Sequence, residues 1–213
     1  MPNHVFNSMS VSGEADDIQA FAKKARLVHP TNPEGANEIS EFSYWNFVTP
    51  PQEAIDSGEY WGTHGFVKGE QVGRTPNNWY EFNNREWGTK WDAYDVDVQR
   101  APNAYYVTWS SAWAPPEPVF KAMVNQHPRL AFTISYEEEQ GWGGECAGYD
   151  GHFVVVQEWD IPESHADYEH IGRDCMCERE NDPEYWFSDC PRNEKEVPEH
   201  EGCNCEHHKK AGV

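Results

Sequence analysis

The strongest constraint on the fold is a change of hydrophobic period within residues 104–136. Tyr105, Val107 and Trp109 alternate with other residues, as in a strand that buries one face. A segment with helical spacing follows two prolines, and a second alternation begins at Leu130. A helix placed directly between two such strands must cover one face of their sheet, because both elements have an apolar side to bury.

Similar patterns assign elements along the chain as far as Trp159. In the first half of the chain we predict a strand from Val5 to Val11, a helix with Ile18, Phe21, Ala22 and Ala25 inward, an aromatic strand from Phe42 to Val48, and a long irregular insertion at about 52–78. A short helix from Trp79 to Arg85, a strand that ends near Val98 and a hairpin turn at Pro102 and Asn103 follow, and then the strand from Ala104. The last elements are a helix with Val119, Phe120, Met123 and Val124 inward, the strand from Leu130, a Gly-rich connection from Gln140 to Gly151, and a last core strand from Phe153 to Trp159. This order contains the βαββαβ succession of a ferredoxin-like sandwich. The predicted class is α+β, with an antiparallel sheet and two helices on one face.

Beyond Trp159 the apolar residues thin out and no period persists, so we expect a domain over 1–160 and an irregular, acidic Cys/His-rich extension over 161–213. The formal net charge is -21, from 37 Asp and Glu against 16 Lys and Arg. From residue 158 onward there are 16 acidic and 6 basic residues, so about half of the net charge lies in this C-terminal stretch. Such a surface repels nucleic acid and attracts basic proteins, although solubility alone also accounts for it.

Hydropathy and the N-terminal sequence bear on localisation. Mean hydropathy is -0.88 and no apolar run approaches twenty residues, which excludes a typical membrane-spanning helix. Residues 1–5 show no basic stretch followed by an apolar one, so we expect no signal peptide and a place in the cytosol. The sequence leaves the oligomeric state open.

All six cysteines lie at or beyond Cys146, and five of them cluster in the extension with the spacing C-x-C-x12-C-x12-C-x-C. Zinc needs four such ligands, and its binding can supply the folding energy of a weakly hydrophobic segment. We predict a structural zinc site with the ligands Cys175, Cys177, Cys203 and Cys205, for any one of which Cys190 or His207 could substitute. Free or transiently oxidised thiols, and other metals, stay open as alternatives.

Four residues are candidates for an interaction surface, because Trp dominates the energetics of many interfaces. They are Trp87, Lys90, Trp91 and Trp113. The alternative is structural: Trp109 and Trp113 have the spacing of a strand that fills a core, and Lys90 could form an ion pair with Asp92. The histidines, including His64, stand beside no recognisable nucleophile motif, so the sequence contains no catalytic set.

Three blocks in order resemble one known family: Met1-Pro2-Asn3-His4-Val5, Trp87-Gly88-Thr89-Lys90-Trp91-Asp92-Ala93-Tyr94 and Ser111-Ala112-Trp113-Ala114-Pro115-Pro116-Glu117-Pro118. The family is the YubB-type ferredoxin-like domain of phages and plasmids, and the resemblance covers about residues 1–160. It implies a ferredoxin-like fold and a mobile-element origin. It implies no catalytic residues and no iron-sulfur cluster, since this region has one cysteine and a cluster normally needs four thiolates.

Charge and family context together favour a non-enzymatic accessory protein that binds a basic host protein, such as a nucleic-acid-binding or defence factor. Two alternatives remain. One is an RNA- or nucleotide-binding module with sheet aromatics such as Tyr106 stacking on bases, and the other is an enzyme of unknown reaction.

Overall fold

The computed structural model describes residues 3–28, 39–57, 78–172 and 187–190. The chain divides into two compact units, Met1–Asp160 and Ile161–Val213. Most of the expected insertion, including His64, lies outside the described residues. None of the described helices is both long enough and apolar enough to cross a membrane.

The first unit contains eight strands, four α-helices and a π-helical turn among its described residues. The strands are β1 (His4–Ser12), β2 (Leu27–Val28), β3 (Ile39–Ser40), β4 (Tyr94–Ala101), β5 (Ala104–Ala112), β6 (Ala131–Glu138), β7 (Gly143–Tyr149) and β8 (His152–Trp159). The helices are α1 (Ala15–Ala25), α2 (Gln52–Asp56), α3 (Trp79–Phe82) and α4 (Glu117–Gln126), and the π-helical turn (Asn83–Trp87) continues α3.

The main sheet has six antiparallel strands in the order β4-β5-β1-β6-β7-β8. Its first four strands, with α1 and α4 as crossovers, form the ferredoxin-like βαββαβ arrangement, so the predicted fold class is confirmed. The hairpin of β7 and β8 extends that sheet beyond β6. β2 and β3 form a separate two-stranded sheet.

Alternation along the central strands separates a covered face, which packs under the helices, from an open face on the other side of the sheet. On β5 the buried Tyr105, Val107 and Trp109 point to the covered face, as predicted. The ring centroids of Phe21 in α1 and Tyr105 are 5.3 Å apart in an edge-on arrangement, and those of Phe120 in α4 and Trp109 are 6.0 Å apart. Both helices therefore lie on the same face of the sheet.

Two predicted segments are wrong. The aromatic run from Phe42 to Val48 is not a strand: it forms bends and a turn whose rings fill the core. It is held by the Asp92 carboxylate, which accepts hydrogen bonds from the Ser43 hydroxyl at 2.6 Å and the Tyr44 amide at 2.8 Å. The expected Gly-rich connection from Gln140 to Gly151 contains β7. The strand predicted from Phe153 to Trp159 is present as β8, but it lies at the edge of the sheet with most of its residues exposed and is not a core strand.

The described part of the second unit centres on helix α5 (His165–His170). The Ser164 hydroxyl caps this helix by accepting from the Asp167 amide at 3.1 Å. The carboxylate of Asp189 accepts from the amides of His165 and Ala166, which also lie in the first turn. These bonds satisfy donors that a helix leaves unpaired at its start.

Candidate functional site

A tightly anchored loop, residues 88–93, carries two of the interaction candidates. It begins after the π-helical turn at Gly88, whose φ of 78° is readily adopted by glycine. The Thr89 hydroxyl donates to the carbonyl of Ala112 at 2.7 Å and accepts from the Ala112 amide at 3.1 Å. The Asn83 side chain donates to the Lys90 carbonyl at 2.8 Å, so this loop is fixed against both β5 and the preceding turn.

The side chain of Lys90 lies against two indole rings. Its ammonium nitrogen is 5.0 Å from the ring centroid of Trp91 and 4.8 Å from that of Trp113. Both distances fall in the range of favourable cation–π contacts. Trp91 and Trp113 are 22 residues apart in sequence, and the Thr89–Ala112 bonds bring their segments together.

The strand spacing of Trp113 would place its ring in the core. In the structure the residue is 44% exposed and does not fill the core. Its φ is 72°, a left-handed conformation that is costly for a residue with a side chain. The Trp113 amide donates to the Asn3 carbonyl at 2.9 Å, which holds the backbone beside the start of β1. The fold therefore keeps a large indole ring exposed in a defined, strained position.

Tyr94 and His4 extend this group. The Tyr94 ring meets Trp91 edge-on at 6.0 Å, its hydroxyl donates to the Ser111 carbonyl at 3.2 Å, and it lies 2.6 Å from His4 Nδ1. Burial, with Asp95 and Glu139 nearby, raises the pKa of Tyr94 to about 12, so the phenol stays protonated at neutral pH. We call Lys90, Trp91, Trp113, Tyr94 and His4 the Lys90 cluster.

The Lys90 cluster continues into the open face. Tyr94 is opposite Ser110, which is opposite Phe6, and residues directly opposite in antiparallel strands share a face. Phe6 is 58% exposed. Further along the open face, Tyr106 of β5 is also exposed, and the hydroxyls of Ser8 and Ser135 bond each other at 2.8 Å.

Carboxylates are the charged groups that the strands themselves place on the open face. Asp97 is opposite Thr108, Glu137 is opposite Phe6 and Glu145 is opposite Ser135. Among the described residues of the six strands, the one Lys or Arg is Arg100, and it points to the covered face. There its guanidinium lies over the Tyr105 ring and bonds Glu41, which holds the pKa of the Glu41 carboxyl below its usual value.

Trp87 requires a correction as an interaction candidate. It is fully buried, and its indole nitrogen donates to the Val48 carbonyl at 2.8 Å. Trp87 is therefore part of the core beneath the loop that carries Lys90. Asp92, considered as the ion-pair partner of Lys90, instead turns inward to the Ser43 and Tyr44 segment.

The predicted zinc ligands Cys175, Cys177, Cys203, Cys205 and His207 lie outside the described residues. Cys190 is buried in a small cluster with Tyr168 and Phe187. Within the described ranges, no three His, Cys, Asp or Glu side chains are grouped as metal ligands.

Two other features of the first unit bear on catalysis. Burial and the nearby Glu117 raise the pKa of the Cys146 thiol to about 11, so it is protonated and a poor nucleophile at neutral pH. A shallow groove between α1 and the hairpin turn of β4 and β5 is lined by Asp16, Lys23, Arg26 and Arg100 among alanines. The described residues that line it include no histidine, serine or cysteine.

Residues 86–175 match a family model described as the ferredoxin-like domain in Api92-like protein. A solved structure, the protein api92 from Yersinia pseudotuberculosis, aligns with 76% of this chain and 99% of its own, at 10% sequence identity and a TM-score of 0.45. No curated protein matches the chain. The YubB-type label and the phage or plasmid origin stay predictions. Over residues 86–175, then, the chain is similar to the ferredoxin-like domain of Api92-like proteins.

Proposed function

We propose that this chain is a non-enzymatic accessory protein of a phage or plasmid, and that it binds a basic host protein through its open face and the Lys90 cluster. The observation that carries the proposal is the composition of the open face. Asp97, Glu137 and Glu145 lie there among hydroxyl groups, and the described strands place no Lys or Arg beside them. A partner with Lys and Arg on its surface is attracted to such a face.

The Lys90 cluster supplies the apolar part of the interface. Trp113 and Phe6 are 44% and 58% exposed, and aromatic side chains of this size account for much of the binding energy in protein interfaces. Since hydrogen bonds fix the loop that carries Lys90, little conformational entropy is lost when a partner binds. A partner arginine could also stack on the exposed indole of Trp113.

Charge mimicry of nucleic acid is a specific form of this proposal. The whole chain carries a formal charge of -21, and a nucleic-acid-binding or defence protein presents a basic groove. Binding in that groove would block the natural ligand. A predicted cytosolic location is compatible with such a partner, and the zinc site of the extension remains a separate prediction that metal analysis can test.

One observation favours the RNA-binding alternative. Phe6 and Tyr106 are exposed on neighbouring central strands of the open face, and exposed aromatics on such a sheet can stack on bases. The carboxylates of the same face oppose it, because they repel phosphate. We therefore treat RNA binding as an outcome of the test.

The test uses the full chain, immobilised, to capture proteins from cells that carry the plasmid or phage. We expect a basic protein that is retained at low salt and released as salt screens the carboxylates. Its affinity for a variant with Asp97→Lys and Glu145→Lys should fall by at least about tenfold. The matched control is Asp16→Lys on the exposed side of α1, which should change the affinity by at most about twofold.

Two outcomes would contradict the proposal. One is that no basic protein is retained at low salt, or that the open-face and α1 variants behave alike. The other is that the native chain binds a single-stranded oligouridine and that the double lysine variant binds it more tightly, which would favour the RNA-binding alternative.

A further inference from the structure

The two edges of the main sheet differ sharply. The β4 edge carries Asp95, Asp97 and Arg100, with a register shift between Tyr94 and Asp97 and a positive φ of 52° at Asp95. Charged side chains and bulges are the devices with which proteins prevent other strands from pairing with an exposed edge. β4 is therefore a protected edge.

The β8 edge lacks most of this protection. Its central residues are Phe153, Val154, Val155 and Val156, and the three valines are 39%, 45% and 61% exposed. A register shift near Val156 is its one irregularity, and β8 has no lysine, arginine or proline. Within the described part of the chain, β8 pairs with β7 alone.

The turn between β7 and β8 shows which backbone groups face outward. Asp150 and Gly151 both have positive φ, 51° and 75°, as in the type I′ turn of a two-residue hairpin. In that geometry the flanking Tyr149 and His152 form a hydrogen-bonded pair, and the pairs then alternate. The amides and carbonyls of Phe153 and Val155 therefore point away from β7, toward the free edge.

We propose that the β8 edge binds an extended segment of the partner as an added strand, and that this segment alternates basic and apolar residues. Backbone hydrogen bonds to Phe153 and Val155 would supply affinity, as in other cases of strand addition. The valines offer an apolar surface to alternate side chains of the segment. This proposal rests on the proposed function for the basic nature of the partner.

Charge complementarity identifies the occupant. From Gly143 to Asp160, the hairpin and its end contain the carboxylates of Glu145, Asp150, Glu158 and Asp160, and no lysine or arginine. Lys121 of α4 approaches from the helix side, with its nitrogen 5.6 Å from the Phe153 ring centroid and paired with Glu117. A basic segment would thus meet a hairpin whose charged side chains are carboxylates, one of which, Glu158, accepts a hydrogen bond from the Tyr136 hydroxyl. A second copy of this chain would instead bring the same negative charges together.

The first experiment changes only the ligand. A capped peptide of alternating lysine and valine serves as the probe for the full chain, with an alternating glutamate and valine peptide as its control. We expect saturable binding of the basic peptide, with amide shifts confined to β8 and its turn in nuclear magnetic resonance spectra. Two further peptides carry N-methyl groups on one or the other set of alternate amides. One of the two should bind at least about tenfold more weakly, because in it the methyl groups remove the amides that donate to the edge.

Two protein variants test the same edge. Val155→Pro removes the outward amide and should weaken peptide binding by at least about tenfold, whereas Val155→Thr keeps it and should change binding by less than about threefold. Val156→Lys should weaken binding several-fold more than Val156→Glu, because both remove the same apolar surface and only the lysine repels the segment.

The outcomes separate this proposal from the proposed function. It is overturned if the acidic peptide binds equally well, if no saturable binding occurs, or if peptide binding responds to the open-face lysine variant but not to Val155→Pro. Concentration-dependent dimerisation that Val155→Pro abolishes would assign the edge to a second copy instead. In each of these cases a captured basic protein that still depends on Asp97 and Glu145 would leave the proposed function standing.

Discussion

The covered and open faces of the same strands differ in what their side chains do. On β5, residues 105, 107 and 109 are large, buried and packed against the helices, whereas the residues between them carry hydroxyl groups on the open face. On the two central strands β1 and β5, the exposed apolar surface of the open face is aromatic, at Phe6 and Tyr106. One alternating sequence thus encodes both the stability of the sheet and a surface that is available for recognition, and substitutions on the two faces should affect different measurements.

The largest contrast is expected between two tryptophans. Trp87→Ala should lower the free energy of unfolding by about 3–5 kcal/mol, because the ring is fully buried and donates a hydrogen bond to Val48. Trp113→Ala should lower it by at most about 1 kcal/mol, since the ring is 44% exposed. Denaturant unfolding measures both changes. A loss of stability for Trp113→Ala as large as that for Trp87→Ala would show that the cluster is structural rather than a recognition surface.

A smaller contrast is expected between two neighbouring positions of β7. A Cβ at Gly148 would overlap the Val124 side chain of α4, so Gly148→Ala should destabilise the fold by about 1–3 kcal/mol. The matched control is Ala147→Ser, which faces the open side opposite Thr133 and should change stability by at most about 0.5 kcal/mol. Equal effects at the two positions would mean that β7 does not separate the faces as described.

The glycines of β7 show why this strand was not predicted from the sequence. Alternation identified β1, β5 and β6, because each has large apolar residues at every second position. β7 has Gly143, Gly144 and Gly148 instead, and a Gly-rich segment predicts a loop. In the structure, Gly144 lies close to the Tyr136 hydroxyl and Gly148 to Val124, so these positions need small residues for packing rather than for a turn.

The prediction of a strand from Phe42 to Val48 was wrong for a different reason. Its composition is that of a strand, but the Asp92 carboxylate, about fifty residues away in sequence, fixes the Ser43 and Tyr44 segment as a bend.

Part of the candidate surface could be predicted from residue types alone, since Lys90 and Trp113 were candidates from the sequence. The contact between them depends on the Thr89–Ala112 bonds, which a single sequence does not reveal.

The smallest predicted effect concerns His127, which follows α4 and packs against rings of α1 and of the segment after β3. The ring of His127 contacts Phe21 at 5.2 Å and Phe47 at 6.1 Å, and its Nε2 is buried without a hydrogen-bond partner among the described residues. Burial lowers the pKa of His127, and the nearby Lys24 lowers it further, while Asp17 opposes the change.

The pKa of His127 is lower in the folded chain than the 6.5 of the unfolded chain. The neutral ring therefore contributes fully to stability above pH 6.5, and this contribution is lost as the pH falls toward the pKa of the folded chain. The melting temperature of the native chain should therefore fall by up to a few degrees as the pH is lowered from 7 toward 5, and His127→Phe should remove part of this fall. Thermal unfolding across that range measures both. An identical pH dependence in the two chains would assign the effect to the carboxylates and exclude His127 as its source.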